Sequence, residues 1–212
     1  ENIAHADEPW VLEVDYAILD YIELYAPIGY SNEPAQYTKT LAGDQLPFEQ
    51  RPIGYRNVAF PLTTRAQSTQ TYYMRFQTES SMYVALNMWP GNSFAESFDG
   101  KLLVFGFLYG IVFLASIYCL INAVFLRVRM YLFIAIGILG SLGYSLSLNG
   151  FAFQYLWPES LWLQSVSVPF FLNLCFGFAL LYSREFVDLQ KNAPLTDKVI
   201  TSFAYICLIL GF

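Results

Sequence analysis

The feature that most constrains this chain is an uncharged run of 25 residues, from Leu102 to Leu126. As an α-helix with a rise of ~1.5 Å per residue, the run would exceed the ~30 Å hydrocarbon core of a bilayer. A helix that is apolar on every side is buried in lipid or in a very large core. Lys101 precedes the run, and Arg127 and Arg129 follow it. The run therefore predicts a membrane-spanning helix that separates a water-exposed half of the chain from a lipid-embedded half.

Charge and composition differ between these two halves. Residues 1–100 contain 13 Asp and Glu against 5 Lys and Arg, whereas residues 101–212 contain 4 against 6. The acidic first half argues against nucleic-acid binding, because it would repel phosphates. The second half is too apolar for its residues to bury in a core of their own. His5 is the only histidine, which argues against a histidine metal site or catalytic triad. The sequence shows no other catalytic constellation, so we expect no catalytic residues, no metal and no cofactor.

Residues 9–89 alternate between apolar and polar side chains in several short runs, the pattern of half-buried β-strands. The runs lie at 10–15, 22–25, 57–62, 70–78 and 82–88, and clusters of Pro, Gly, Asn and Asp separate them. The pattern predicts an antiparallel β-sandwich over residues 1–90, followed by a juxtamembrane linker at 91–101 that is short enough to transmit a displacement. The chain starts without a leader-like segment and stops within an apolar run, so we expect sequence, including strands of the sandwich, to be missing at both ends.

Apolar segments after residue 101 predict a transmembrane domain over 102–212. The spanning helices are expected at about 102–126, 130–155, 161–182 and 199–212, the last of them truncated. The loops after the first and third helices contain basic residues, whereas the loop at 154–160 contains none. Because basic loops face the cytoplasm, the loop at 154–160 and the sandwich are expected on the outer side.

The predicted spans contain no Asp, Glu, Lys, Arg or His. Ion pumps and proton-coupled transporters usually carry such residues at mid-membrane depth, so their absence argues against a transporter. Gly106 and Gly110 form a GxxxG pair, which permits close approach of two helices. The pair fits either a homodimer or packing within one chain, and both interpretations stay open.

Aromatic and polar residues of the strand region are candidates for binding a ligand such as a sugar, whose faces stack on rings and whose hydroxyls need planar polar partners. These candidates are Tyr25, Arg56, Asn57, Tyr73, Arg75 and Trp89. A solvated sheet face with cross-strand pairs is the alternative for each of them. The carboxylates Glu13, Asp15, Asp20 and Glu23 favour surface charge over a glycosidase pair.

A more specific signal is the segment GDQLPFEQRPIGYRNVAFPL at residues 43–62, here called the motif segment, which follows LEVDYAILDYIELY at 12–25. Together they resemble the second type of extracellular domain in bacterial seven-transmembrane receptors with diverse intracellular signalling modules. The helices that follow resemble the first half of the seven-helix domain of that family. Within the motif segment, Arg51 is a further ligand candidate, or else it pairs with a carboxylate or caps backbone carbonyls, while the prolines fix turns.

The resemblance implies a periplasmic jelly-roll sandwich similar to carbohydrate-binding modules, seven helices in a bacterial inner membrane, and a cytoplasmic output such as a diguanylate cyclase, a histidine kinase or a phosphatase. The chain is then the sensor and membrane part of a receptor that binds a periplasmic small molecule, glycan or protein. One alternative is a membrane transport or assembly subunit with a partner-docking domain. Another is a membrane-anchored glycan hydrolase, which would need two carboxylates that converge in one cleft.

Overall fold

The computed structural model describes residues 8–28, 36–64, 66 and 68–211. The chain divides into two units: Glu1–Gly100 with Leu148–Ser165, and Lys101–Ser147 with Val166–Phe212. The described part of the first unit is built mainly from strands, and that of the second from helices, so the predicted combination of a β domain with apolar helices is confirmed. His5 lies outside the described residues.

The described residues of the first unit form six strands in two antiparallel sheets of three. The strands are β1 (Glu8–Val14), β2 (Tyr21–Ile28), β3 (Gln36–Ala42), β4 (Val58–Thr64), β5 (Tyr73–Gln77) and β6 (Leu86–Pro90). One sheet has the order β4-β1-β6 and the other the order β3-β2-β5. A single 3-10 turn, Phe48–Gln50, lies within the motif segment.

The hydrophobic core lies between the two sheets, where the alternation of each strand places apolar side chains on one face. Its buried members are Val14, Leu19, Ile22, Leu24, Ala42, Val58, Phe60 and Leu62. The outer face of the β4-β1-β6 sheet is also covered, because Phe94 and Phe98 pack there against Tyr55, with ring centroids 5.2 and 5.1 Å away. The segment predicted as a linker at 91–101 is therefore helical, since burial of two aromatic rings at i and i+4 favours a helix.

The helices are α1 (Gly91–Leu126), α2 (Arg129–Leu148), α3 (Phe151–Tyr155), α4 (Leu161–Phe186), α5 (Leu189–Asn192) and α6 (Pro194–Leu210). Among the described residues, α1, α2 and α4 are long and apolar enough to cross a membrane. Large apolar side chains along α1, such as Leu103, Phe107 and Phe125, are exposed as lipid-facing residues would be. In the second unit a Cβ at Gly143 of α2 would lie 2.4 Å from the Phe171 ring of α4, so glycine permits this close contact.

The second predicted span, at 130–155, is shorter in the structure. α2 ends at Leu148, and Gly150 has a φ of +76°, a left-handed conformation that only glycine adopts without strain. The next residues form α3, where Phe151 and Phe153 are buried within the first unit. Hydropathy could not distinguish this segment from a membrane span, because burial against protein and burial in lipid both select apolar side chains.

Candidate functional site

One face of the β3-β2-β5 sheet points away from the core and carries aromatic and charged side chains. Residues directly opposite each other in an antiparallel pair share a face, and the register pairs Glu23 with Arg75 and Tyr25 with both Tyr73 and Lys39. Together with Tyr37, these residues are called the tyrosine face. It brings together three of the predicted ligand candidates, Tyr25, Tyr73 and Arg75.

Ion pairs and hydrogen bonds order the centre of the tyrosine face. Glu23 Oε1 accepts hydrogen bonds from Lys39 Nζ at 2.7 Å and Arg75 Nη1 at 3.3 Å, and Tyr25 donates its hydroxyl to Glu23 Oε2 at 2.6 Å. The hydrogen bonds from Lys39 and Tyr25 lower the pKa of Glu23 to about 2, and the bond from Tyr25 raises the pKa of its own hydroxyl. The two cations outnumber the one carboxylate, so the centre of this face carries a positive charge at neutral pH.

Exposed rings and cations surround this ordered centre. Tyr73 is 56% exposed, and its ring packs edge-on against Tyr37 with centroids 5.4 Å apart. The Arg75 side chain is 63% exposed, and Lys39 Nζ lies 6.0 Å from the centroid of the Tyr25 ring. The face therefore offers an aromatic surface for stacking beside cationic and hydroxyl donors, which suits a ligand with a flat apolar side and polar substituents.

Acid should remove the contribution of Glu23 to stability within a defined pH window. The pKa of Glu23 is lowered from 4.5 to about 2 on folding, so its carboxylate stabilises the fold above about pH 5 and loses this effect as the pH falls through about 2. The difference in melting temperature between wild type and Glu23→Gln should be constant near neutral pH and should shrink in acid. Glu79→Gln, at an exposed carboxylate, is the control, and a Glu23→Gln difference that persists undiminished at about pH 2 would contradict the assignment.

Asn57, Arg56 and Trp89 lie elsewhere, in a buried network around two carboxylates. Asn57 Nδ2 donates to Glu13 Oε1 at 2.7 Å and to Asp15 Oδ1 at 2.6 Å, and Trp89 Nε1 donates to Glu13 Oε2 at 2.8 Å. Arg56 Nη2 lies 3.7 Å from Asp15 Oδ1. The network is closed to solvent at its centre, where Asn57 and Glu13 are both 1% exposed. These contacts tie the motif segment to β1, which is a structural role.

The expectation that the carboxylates of β1 and β2 are surface charges is wrong for Glu13 and Glu23, which are buried. They lie on the outer faces of different sheets, so they do not converge. Glu13 and Asp15 do converge, but on the amide of Asn57 rather than on an open cleft. This arrangement does not resemble a glycosidase pair, which needs space for a sugar between its carboxylates.

Arg51 is held within the motif segment by backbone carbonyls and aromatic rings. Its Nη1 donates to the carbonyls of Tyr55 at 3.0 Å and Arg56 at 2.6 Å, one of the roles expected from the sequence. Its Cζ lies 4.9 Å from the ring centroid of Phe48 and 5.3 Å from that of Phe153. Burial lowers the pKa of Arg51 to about 10, which leaves the guanidinium charged at neutral pH.

Phe153 belongs to the segment Leu148–Ser165, here called the outer loop, which packs on the motif segment within the first unit. The Phe48 N–H donates to the carbonyl of Pro158 at 3.2 Å, and the Phe48 and Phe153 rings meet edge-on at 5.6 Å. Gln45 Nε2 donates to Ser165 Oγ at 3.1 Å. We call this contact between the motif segment and the outer loop the joint.

Arg56 and Gly150 form a second part of the joint. Arg56 Nη1 donates to the carbonyl of Asn149 at 3.2 Å, and Arg56 Cζ lies 5.4 Å from the ring centroid of Phe151. A Cβ at Gly150 would lie 2.6 Å from the carbonyl oxygen of Arg56 and 2.7 Å from Cβ of Ala17. Close approach of the backbones therefore requires glycine here, in addition to its left-handed φ.

Asp44 links the motif segment to the first turn of α4. Its Oδ2 accepts a hydrogen bond from Gln164 Nε2 at 3.4 Å, and both side chains are buried. The pKa of Asp44 is raised to about 6, chiefly by burial and to a smaller extent by the nearby carboxylate of Asp20, while Gln164, Arg51 and Gln45 oppose this shift. The sequence alone does not predict these contacts, because the partners of Asp44, Phe153 and Gln164 lie about a hundred residues away along the chain.

Comparison with known proteins places both parts of the chain in one family. Residues 1–90 match the family described as 7TMR-DISM extracellular 2, and residues 101–212 match the family described as 7TM diverse intracellular signalling. No match to a curated protein or to a solved structure was found. The matched domains are sensor and membrane domains rather than catalytic ones. The chain belongs to the family of seven-transmembrane receptors with diverse intracellular signalling, and it contains an extracellular domain and the start of a seven-helix membrane domain.

Proposed function

We propose that this chain is the sensor and membrane part of a bacterial inner-membrane receptor, and that its tyrosine face binds a ligand in the periplasm. The observation that carries this proposal is the exposed Tyr73 ring beside the ordered cluster of Lys39, Glu23 and Arg75. The buried network leaves Asn57 and Arg56 with structural partners, so the tyrosine face is the better candidate for contact with a diffusing ligand.

A glycan is the ligand class that the chemistry of the tyrosine face favours. Sugar rings stack on exposed tyrosines, and their hydroxyls suit the fixed hydroxyl and guanidinium groups at the centre of this face. The positive charge of the face further favours a glycan with carboxylate substituents. Two packed antiparallel sheets are also compatible with the jelly-roll fold of carbohydrate-binding modules, although a small molecule or a protein ligand would use the same surface.

Two covalent connections would carry the signal from the extracellular domain to the membrane. β6 ends at Pro90, where α1 begins without a linker at Gly91, and the outer loop continues into α2 and α4. A ligand shifts the equilibrium between two arrangements of these elements only if it binds one of them more tightly. We propose that the shift reaches a cytoplasmic output domain, and that Gly106 and Gly110 on α1 support a homodimer.

The tyrosine face can be tested with oligosaccharide probes. The purified chain in detergent would be titrated with a neutral hexose oligomer and with a uronic-acid oligomer, and binding would be measured by calorimetry. Tyr73→Ala is expected to weaken binding about thirtyfold, because a central aromatic contact contributes about 2 kcal/mol. Arg75→Ala should weaken the acidic oligomer more than the neutral one.

Tyr83→Ala is the matched control, because Tyr83 is exposed to a similar degree but lies outside the tyrosine face, against Tyr16. It should leave the affinity unchanged. If neither oligomer binds the wild type, the glycan assignment is wrong. If Tyr83→Ala weakens binding as much as Tyr73→Ala, the tyrosine face is not the binding surface.

A further inference from the structure

The joint contains buried polar atoms that lack hydrogen-bond partners among the described residues. They are Oδ1 of Asp44, Nε and Nη2 of Arg51, and Oε1 of Gln154. Asp44 is 5% exposed and Arg51 is 7% exposed, so bulk water does not replace the missing partners. Buried polar groups are normally paired, and a group of unpaired atoms in one contact region calls for an explanation.

The unpaired atoms of Asp44 and Arg51 are complementary. The Nε and Nη2 edge of a guanidinium is one with which arginine binds a carboxylate through two parallel hydrogen bonds. The carboxylate of Asp44 and the guanidinium of Arg51 are close enough to shift each other's pKa, but no ion pair joins these two described residues. Asp44 accepts a hydrogen bond from Gln164 instead. Nη1 of Arg51 already donates to the carbonyls of Tyr55 and Arg56, so the Nε and Nη2 edge is the part of the guanidinium that remains available for a hydrogen bond.

We propose that the joint is a two-state switch in which Asp44 exchanges Gln164 of the outer loop for Arg51 of the motif segment. In the docked state, which the structure describes, Gln164 holds Asp44 and Phe153 covers Arg51. In the released state, Asp44 and Arg51 form an ion pair within the sandwich, and the outer loop separates from the motif segment. The assignment of this exchange to signalling rests on the proposed receptor function, whereas the exchange itself does not.

Each state satisfies groups that the other leaves unsatisfied, so neither state is favoured by all of its contacts. Docking buries Phe151, Ala152 and Phe153 against the sandwich. Release would expose this apolar surface but would pair the charged atoms of Asp44 and Arg51 and hydrate Gln154. A ligand or a change in the membrane helices could then select either state with a modest difference in affinity.

The switch should respond to the charge of Asp44, since only the carboxylate form makes the ion pair of the released state. The groups that face it are Asp20, Gln45, Arg51 and, from α4, Gln164. Burial raises the pKa of Asp44 to about 6, so mild acid should protonate it in the docked state. Protonation removes the partner of Arg51 in the released state, and acid should therefore favour docking.

The test places a reporter cysteine in the joint through Ala152→Cys, because Ala152 is fully buried there and would react only on release. The full chain in detergent is treated with a water-soluble maleimide, and modification at residue 152 is followed by peptide mass spectrometry. At about pH 7.5, Asp44→Asn is expected to slow modification about tenfold, and Gln164→Leu to accelerate it by about the same factor. Amide exchange of 149–158 without the reporter provides the second measurement, with β2 as the control for global unfolding.

The direction in which Asp44→Asn changes the modification rate distinguishes the switch from a purely structural role of Asp44. An asparagine still accepts the hydrogen bond from Gln164, so a purely structural Asp44 would give unchanged or faster modification, and that result would overturn the switch. The ratio of wild-type to Asp44→Asn rates at equal pH should also fall toward one at about pH 5. A ratio independent of pH would equally reject the proposal. No ligand is used, so failure of glycan binding has no bearing on this test.

Discussion

Replacement of Asn57 with leucine is expected to lower the free energy of unfolding of the extracellular domain by about 3 kcal/mol or more. Asn57 is buried, and its single amide nitrogen donates to Glu13 at 2.7 Å and Asp15 at 2.6 Å. Leucine has a similar volume but no donor, so the variant leaves the buried Glu13 carboxylate and the part-exposed Asp15 carboxylate each short of a partner. Thermal and urea unfolding of the purified chain, followed by circular dichroism of the strands, would measure the loss.

Asn87→Leu is the matched control for this variant. Asn87 also contacts Asp15, but at 3.5 Å and in a part-buried position, so its loss should cost less than about 1 kcal/mol. Asn57→Asp would add a third carboxylate to the network, and its destabilisation should be relieved in acid, where the introduced carboxylate is protonated. If Asn57→Leu lowers the free energy of unfolding no more than Asn87→Leu does, the buried network does not stabilise the fold. Asn57 would then again be a candidate for ligand binding.

Strand periodicity predicted most of the extracellular domain, because each inward-facing side chain must be apolar wherever one sheet packs on another. β4 shows this, since Val58, Phe60 and Leu62 are all buried as the alternation predicts. β3 was not predicted, because threonines Thr38 and Thr40 occupy positions facing its core side and weaken the contrast between the two faces. An edge strand with polar residues on both faces gives no clear period-two signal.

The candidate ligand residues divided between two environments that the sequence could not separate. Tyr25 and Tyr73 lie on an open face, whereas Asn57 and Arg56 lie in the buried network. Aromatic and polar residues occur in both kinds of environment, and the distinction depends on what covers each sheet. α1 and the segment around Tyr55 cover one sheet, but the pairing of distant elements cannot be deduced from local patterns.

The joint could not be predicted from the sequence either, because it pairs elements that are distant along the chain. Hydropathy assigned residues 130–155 to one membrane helix, although Gly150 is a helix-breaking residue within that run. The motif segment was interpreted either as a ligand site or as a structural element, and its contact with the outer loop favours the structural interpretation for Arg51 and Arg56. A contact between residues 44 and 164 spans 120 positions, which only the folded chain reveals.

Replacement of Phe153 with alanine is expected to release the outer loop while leaving the tyrosine face intact. The Phe153 side chain is fully buried, and it packs against the Phe48 ring and the Arg51 guanidinium. Truncation of a buried phenylalanine typically costs about 3–5 kcal/mol, most of which would fall on docking of the loop. Hydrogen exchange of the full chain should show loss of protection at Phe151–Tyr155 with little change in β2, and oligosaccharide affinity should change by less than about twofold.

Leu156→Ala is the control within the same loop, because Leu156 is 63% exposed and its truncation should leave protection unchanged. Phe153→Ala separates ligand binding from signal transmission, because the proposed binding surface is on β2, β3 and β5 whereas Phe153 contacts the motif segment. In the complete receptor, the variant should bind ligand but transmit less of the signal through α2 and α4. If the loop keeps its protection in Phe153→Ala, then the adjoining helices hold it in place, and the motif segment is not what couples the sensor to the membrane.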